Sequence, residues 1–199
     1  MKVFFLDFEA SSLAEVSFPI EVAWVDQSGQ GERYLIRPAP DWTDWSGEAE
    51  MLHGIGRQEL IRHGTPHVHV ARRAVKVLAA DGALVFSDSP QFDGRWLHRL
   101  LGVAGITTPL PVLHIARLYG HVCEPLRQAL PAPDAPAYRD AQERVRNLVR
   151  EIVARAEEAE ALRPRVQHRA LPDAESLWRT WRLVQQGVAK AIEAGQVGG

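Results

Sequence analysis

Hydrophobic and polar positions alternate between two periods along this chain. Residues 2–8, Lys-Val-Phe-Phe-Leu-Asp-Phe, form an apolar run closed by charge, which predicts a buried strand. Residues 20–26 alternate well enough for a second strand, and residues 33–37 for a third. Ser28-Gly29-Gln30-Gly31 between them reads as the turn of a hairpin. Residues 38–66 carry Pro38, Pro40, Gly54, Gly56, Gly64 and Pro66 and read as irregular. Over residues 67–80, Val68, Ala71, Val75 and Leu78 recur at helical spacing. Residues 83–87 predict a short buried strand, residues 92–101 a helix and residues 111–115 a last strand.

Pro125, Pro131, Pro133 and Pro136 mark a linker-like segment. Residues 138–162 then predict a long helix, with Val145, Leu148, Val149, Ile152 and Ala156 on one stripe and a favourable Glu151–Arg155 pair. A final helix is expected from about Asp173 to residue 193, with Leu177, Trp181, Val184, Val188 and Ile192 on one face. Helices alternate with strands after an initial meander. That order predicts one α/β domain over residues 1–199, built on a five-stranded sheet.

Composition narrows the class. The chain has 199 residues, 46% hydrophobic and 24% charged, the balance of a folded globular protein rather than a disordered one. No apolar run approaches the roughly 18–20 residues of a membrane span. The apolar start is too short for a secretory signal, and acids follow it at once. Cys123 is the one cysteine, so no internal disulfide forms, and a cytoplasmic location is expected. No cysteine and histidine spacing suits zinc. Charge is uneven: residues 1–50 carry ten acids and three bases, and residues 51–130 five acids and nine bases. An acidic end beside a basic stretch suits a metal site next to a polyanionic substrate.

Three acidic features carry chemistry. Asp7 and Glu9 stand two apart at the end of an apolar strand, so both carboxylates share one face. They repel each other and need a counter-charge, and oxygen ligands of this kind suit Mg²⁺ or Mn²⁺. Acid-x-acid is common by chance in a chain with 25 acids, so position matters more than the tripeptide. Phe92-Asp93 follows the strand of residues 83–87, with Asp93 opening a helix. Of the eight histidines, His168 alone has an aspartate, Asp173, five residues on. Pro172 suits a first helical turn, which puts Asp173 at a helix start and His168 on the preceding loop. There a carboxylate can bind a fixed metal while the imidazole moves over it.

In order, context and spacing these features resemble the DEDDh 3'-5' exonucleases, the DnaQ-like branch of the RNase H-like superfamily. The first family motif is matched by Phe5-Leu-Asp7-Phe-Glu9, with Ile20-Glu-Val-Ala-Trp24 in the second strand. Phe92-Asp93 matches the middle motif, and His168-Arg-Ala170-Leu-Pro-Asp173-Ala174 the third. Met51-Leu-His53-Gly54-Ile55 is similar to a stretch found upstream of the basic helix in many members. The resemblance covers roughly residues 3–185. It implies an RNase H-like mixed five-stranded sheet flanked by helices.

It also implies that Asp7, Glu9, Asp93 and Asp173 hold two divalent cations, Mg²⁺ or Mn²⁺, with His168 as general base. The expected reaction releases nucleoside 5'-monophosphates from the 3' ends of single-stranded DNA or RNA. Ala10, Leu13, His53, Ile55 and Phe92 are the implied substrate contacts, and Arg57, Arg62, Arg72, Arg73 and Lys76 could track the phosphate backbone. Two departures bear on substrate preference. Ala10-Ser11-Ser12-Leu13 stands where members often have Thr-Thr-Gly after the Glu, and Ser89 stands where many have Asn. Asp88 is an extra acid near the site, expected to serve a cap or a turn rather than a metal.

Other readings compete. An RNase H-like endonuclease would also use four carboxylates, but His168 five before Asp173 argues against it. A catalytically weak nucleic-acid-binding module should have lost a ligand, yet all five positions are filled. A dinucleotide-binding enzyme lacks its Gly-x-Gly-x-x-Gly.

Overall fold

The first apolar run becomes β1 (Lys2–Ala10), the central strand of a mixed sheet in the computed structural model, which describes residues 2–164, 166 and 168–196. β2 (Pro19–Asp26) pairs antiparallel with β1, and β3 (Gly31–Arg37) antiparallel with β2, as the hairpin signal predicts. β5 (Ala83–Ser87) lies parallel to β1 on its other side, and β6 (Val112–His114) parallel to β5. A sixth strand, β4 (Thr65–Pro66), adds to β3. The order is β4-β3-β2-β1-β5-β6, so the expected five strands are all present and the two-residue β4 extends them to six. β4 is too short to leave an alternating pattern.

The segment expected to be irregular holds two helices, α1 (Gly47–His53) and α2 (Arg57–His63). Each has seven residues, about two turns, too few for a helical period to emerge. Local chemistry sets their ends: the Ser46 hydroxyl accepts the Ala49 N–H, and Gly54 closes α1 at φ 69°. Gly64 ends α2 where a Cβ would meet the Leu60 oxygen at 2.4 Å and the Arg37 nitrogen at 2.6 Å, so only glycine lets this turn rest on β3. α3 (His67–Leu78) and α4 (Pro90–Val103) follow.

The chain divides into two compact units, Met1–His114 with Arg165–Trp178, and Ile115–Pro164 with Arg179–Gly199. In the first unit, one face of the sheet is the core. Phe4, Leu6 and Phe8 of β1, with Ile20, Val22 and Trp24 of β2, pack with Val70, Ala71, Ala74 and Leu78 of α3 and Leu97 and Leu100 of α4. Each Phe, Leu, Ile or Val among them contributes roughly 1.5–3 kcal/mol by leaving water. The opposite face carries Phe5, Asp7 and Glu9. The first nine residues of α8 (Ala170–Glu193) belong to this unit. Leu171 sits over Gly31, whose Cβ would stand 2.7 Å from it, and the Trp178 indole donates to the Gln27 carbonyl at 3.3 Å.

The second unit is helical: α5 (Ile115–Val122), α6 (Glu124–Gln128), α7 (Tyr138–Ala161) and the rest of α8. The long helix is where its stripe predicts, with Val145, Ile152 and Ala156 buried. On α8, Trp181, Val184 and Val188 are buried as expected, whereas Ile192 is 50% exposed and Ala191 takes the inward place. Gly187 lets α8 approach Ile152 closely. Cys123 is buried and unpaired. Among the described residues, no helix is long and apolar enough to cross a membrane.

Candidate functional site

β1 and β5 run in register from Lys2–Ala83 to Phe5–Phe86 and then part. β1 continues to Ala10 with only β2 beside it, through a register shift at Glu9 and Ala10. Asp7 and Glu9 lie beyond the last β1–β5 pair, at the carboxyl end of the parallel strands, where open α/β sheets bind ligands. Their alternation with Phe8 sends both side chains to the face away from the main core.

Two helix starts supply the other groups. Pro90 lies in the first turn of α4, and Asp93 follows in the same turn, 2% exposed. The buried Ser87 hydroxyl donates to Asp93 Oδ2 at 2.5 Å and accepts the Ser89 N–H at 3.0 Å, fixing that carboxylate to the end of β5. α8 begins at Ala170, three residues before the expected start, and Asp173 lies in its first turn. Asp173 Oδ2 accepts the Arg169 N–H at 3.3 Å. His168 precedes the helix with φ 57°, a left-handed conformation uncommon for a residue with a side chain.

These elements converge on one cavity of about 500 Å³. Asp7, Glu9, Asp88, Asp93, His168 and Asp173 line it, with Phe8, Leu13, Phe92, Trp96 and Leu177 forming its apolar part. Oxygens of Asp7, Glu9 and Asp173 lie within 4.8 Å of one another, and so do oxygens of Asp7, Asp88 and Asp93. Burial pushes the Asp7 carboxyl well above its usual range, and Asp93, Glu9, Asp173 and Asp88 push further. Glu9 rises to about 8, chiefly by burial, then by Asp173 and Glu21, with Arg169 opposing. Asp93 rises to about 7 by burial, opposed by the Ser87 hydrogen bond and raised again by Asp88. Such a set of hard oxygens fits a divalent cation, whose charge removes the mutual repulsion.

The structure thus brings Asp7, Glu9, Asp93, His168 and Asp173 together, along with Leu13 and Phe92. It does not bring Ala10, His53 or Ile55 to the cavity wall: all three are buried. His53 Nδ1 accepts the Ile55 N–H at 3.0 Å, which folds that stretch on itself. Ser11 and Ser12 both donate to Asp44 Oδ2 at 2.7 Å and so tie the loop after Glu9 to the segment before α1. Arg57 is committed to the Trp42 carbonyl and Arg73 to Glu32. Asp88 faces the cavity, beyond the turn role expected for it.

Ser87, Arg169 and Trp96 carry no signal in the sequence. Glu21 had a visible signal, an acid inside an apolar strand that must find a partner. Arg169 Nε and Nη2 reach its carboxylate at 3.0 and 2.8 Å, and the Ala170 N–H at 2.9 Å. Trp96 donates to Ser17 Oγ at 2.9 Å while its ring lies 5.7 Å from that of Phe92. Arg95 covers both rings.

No family model matches the chain, and no curated protein does. Solved structures do. The zinc-bound complex of E. coli exonuclease I with single-stranded DNA is 14% identical, with a TM-score of 0.64, over 97% of this chain and 42% of that one. The E. coli exonuclease I complex with a dT13 oligonucleotide gives 14%, 0.64, 97% and 43%. A moderately thermophilic exonuclease I from Methylocaldum szegediense gives 15%, 0.61, 93% and 40%. The chain therefore spans about two-fifths of the length of these structures. At such identity the likeness is one of fold, the RNase H-like α/β fold with a mixed sheet flanked by helices.

Proposed function

We propose that the chain is a metal-dependent 3'-5' exonuclease of the DEDDh type, releasing nucleoside 5'-monophosphates from the 3' ends of single-stranded DNA or RNA. One observation carries this reading: Asp7, Glu9, Asp93 and Asp173 meet around a single cavity with His168 on its wall. Asp7 belongs to both oxygen groups, so it would serve both of two cations, Mg²⁺ or Mn²⁺. When bound, the cations would activate a water and neutralise charge on the scissile phosphate. Glu9 and Asp173 would hold one side of that arrangement and Asp93 the other. His168 would accept the proton of the attacking water, on an imidazole free of metal duty.

Leu13 and Phe92 would frame the terminal nucleotide. Ala10, His53 and Ile55, buried behind the wall, are given a supporting part. The exonuclease I complexes with single-stranded oligonucleotides support the choice of substrate class. The reading keeps residues 1–199 as one exonuclease domain. It places the protein in the cytoplasm, where a lone buried thiol needs no partner.

Matched 3'-labelled and 5'-labelled DNA and RNA oligomers, digested with Mg²⁺ or Mn²⁺, test the proposal. The 5'-labelled strands should shorten stepwise, while the 3'-labelled ones release a labelled mononucleotide first. A 3'-phosphate or a closed circle should resist. Rapid cutting of the circle would overturn the reading in favour of an endonuclease. Tight binding without turnover would favour a binding module. Full activity in excess chelator would remove the metal from the scheme.

A further inference from the structure

Glu21 lies within β2 with no exposed surface, in a strand whose other residues from Pro19 to Val25 are apolar. Its carboxylate receives the Arg169 guanidinium as a fork, and Oε2 also takes the Ala170 N–H, the first helical amide of α8. Arg33 Nε stands further off at 3.7 Å from Oε1. Arg169 is held at both ends, since its backbone N–H donates to Asp173 Oδ2. Directly before it, His168 sits in the left-handed region, which L side chains rarely adopt without support from their surroundings. Glu21 is also the cross-strand partner of Glu9 in the β1–β2 ladder. The start of α8 is thereby registered on the strand pair that carries the site carboxylates.

We propose that the Glu21–Arg169 pair is a positioning device, resting on the nuclease reading above. It sets the height and rotation of the His168–Asp173 segment over Asp7 and Glu9, and neither of its members touches substrate. A buried ion pair rarely gains net stability over an apolar pair of equal volume. What this one supplies is direction: a planar fork and a backbone amide meet a single carboxylate, so α8 cannot slide or turn without losing both.

Three variants test it. Arg169→Lys keeps the charge and loses the fork. Glu21→Gln keeps an acceptor for Ala170 and loses the charge. Glu21→Leu combined with Arg169→Met removes the pair without leaving a buried ion, which guards against a failure to fold. Amide hydrogen exchange over residues 168–174 of metal-free protein, Mn²⁺ calorimetry, and kcat and KM on a single-stranded oligonucleotide are read on each. The expected result is exchange at Ala170 faster by roughly tenfold or more and kcat lower by roughly 10–100-fold, as for other supporting partners of metal ligands. KM should stay within about threefold, because substrate is not touched. Mn²⁺ affinity should fall together with kcat.

A folded double variant, or Arg169→Lys, with the exchange, kcat and Mn²⁺ affinity of the wild type would overturn the proposal. Unchanged exchange in all three variants would overturn it whatever the activity. If wild-type protein cuts no nucleic acid, yet exchange and Mn²⁺ affinity shift as expected, the positioning role stands and the nuclease reading fails.

Discussion

Glu9 and Glu21 face each other across the β1–β2 ladder, one residue type on neighbouring strands, and their surroundings differ sharply. Glu21 is fully buried and surrounded by donors: the Arg169 fork, the Ala170 amide and the more distant Arg33. Glu9 has Asp173, Glu21 and Asp93 as its charged neighbours, offset only in part by Arg169, and its carboxyl rises to about 8. The second unit repeats the Glu21 solution, with buried Glu160 taking Arg179 at 2.8 Å. A fold that can neutralise a buried carboxylate twice leaves Asp7, Glu9 and Asp93 repelling one another in a cavity. Burial alone therefore does not mark a working acid; burial beside other acids does.

The sharpest way to break this contrast is to make the same substitution on both strands. Glu9→Gln should abolish most turnover, by about 10³–10⁴-fold if a cation contributes several kcal/mol through it. It should also raise the Tm of metal-free protein, because one repelling charge is gone. Glu21→Gln should lower that Tm instead, because a paired charge is lost. Oligonucleotide digestion and thermal melts in chelator check both. If the two variants melt alike, the contrast between paired and repelling carboxylates is wrong.

Three further substitutions separate the roles of individual groups at the site. His168→Ala should cost roughly 10²–10⁴-fold in rate, the worth of a general base, with Mn²⁺ affinity nearly intact. Asp173→Ala should lose affinity as well as rate, so calorimetry distinguishes a base from a ligand. Ser87→Ala removes the hydroxyl that holds Asp93 and should cost roughly tenfold in rate, the lower end for such partners. A Ser87→Ala enzyme with wild-type kcat would show that the end of β5 needs no such tether.

Legibility in the sequence followed the length of each signal. β1, β2 and β5 were legible because each carries an apolar run, and β3 because the Ser28–Gly31 turn follows β2 directly. α7 and α8 were legible because 24 residues repeat a stripe many times. α1, α2, α5, α6 and β4 were not: all are short, with α1 set by the Ser46 cap, α2 closed by the Gly64 contact and β4 held by two ladder pairs. At the site, Asp7, Glu9, Asp93, His168 and Asp173 were legible through their places at strand ends and helix starts. Ser87 and Arg169 were hidden because their roles depend on partners across space. The sequence offers Asp88 only a cap or a turn, because it does not show that the end of β5 comes close to Asp7.

The last and smallest effect concerns pH without metal. Glu9 and Asp93 are both raised, from ordinary values of 4.5 and 3.8 to about 8 and about 7. Between the ordinary and the folded values, the folded protein holds protons that the unfolded chain has released. Stability must then fall as pH rises through that window, the reverse of the usual salt-bridged carboxylate. Metal-free protein should therefore melt lower at pH 8 than at pH 5.5, by roughly 5 °C for a chain of this size. Mn²⁺ or Mg²⁺ should flatten the slope, since a bound cation favours the ionised acids and stabilises the folded state by mass action. Glu9→Gln should flatten it partly without any metal, and Glu21→Gln by less, since Glu21 supplies only a smaller share of the rise at Glu9. Calorimetric melts across that range, with chelator or cation, measure all three. If chelated wild-type protein gains stability toward pH 8, the site acids are neutralised by the protein itself, and the need for cations disappears with the contrast.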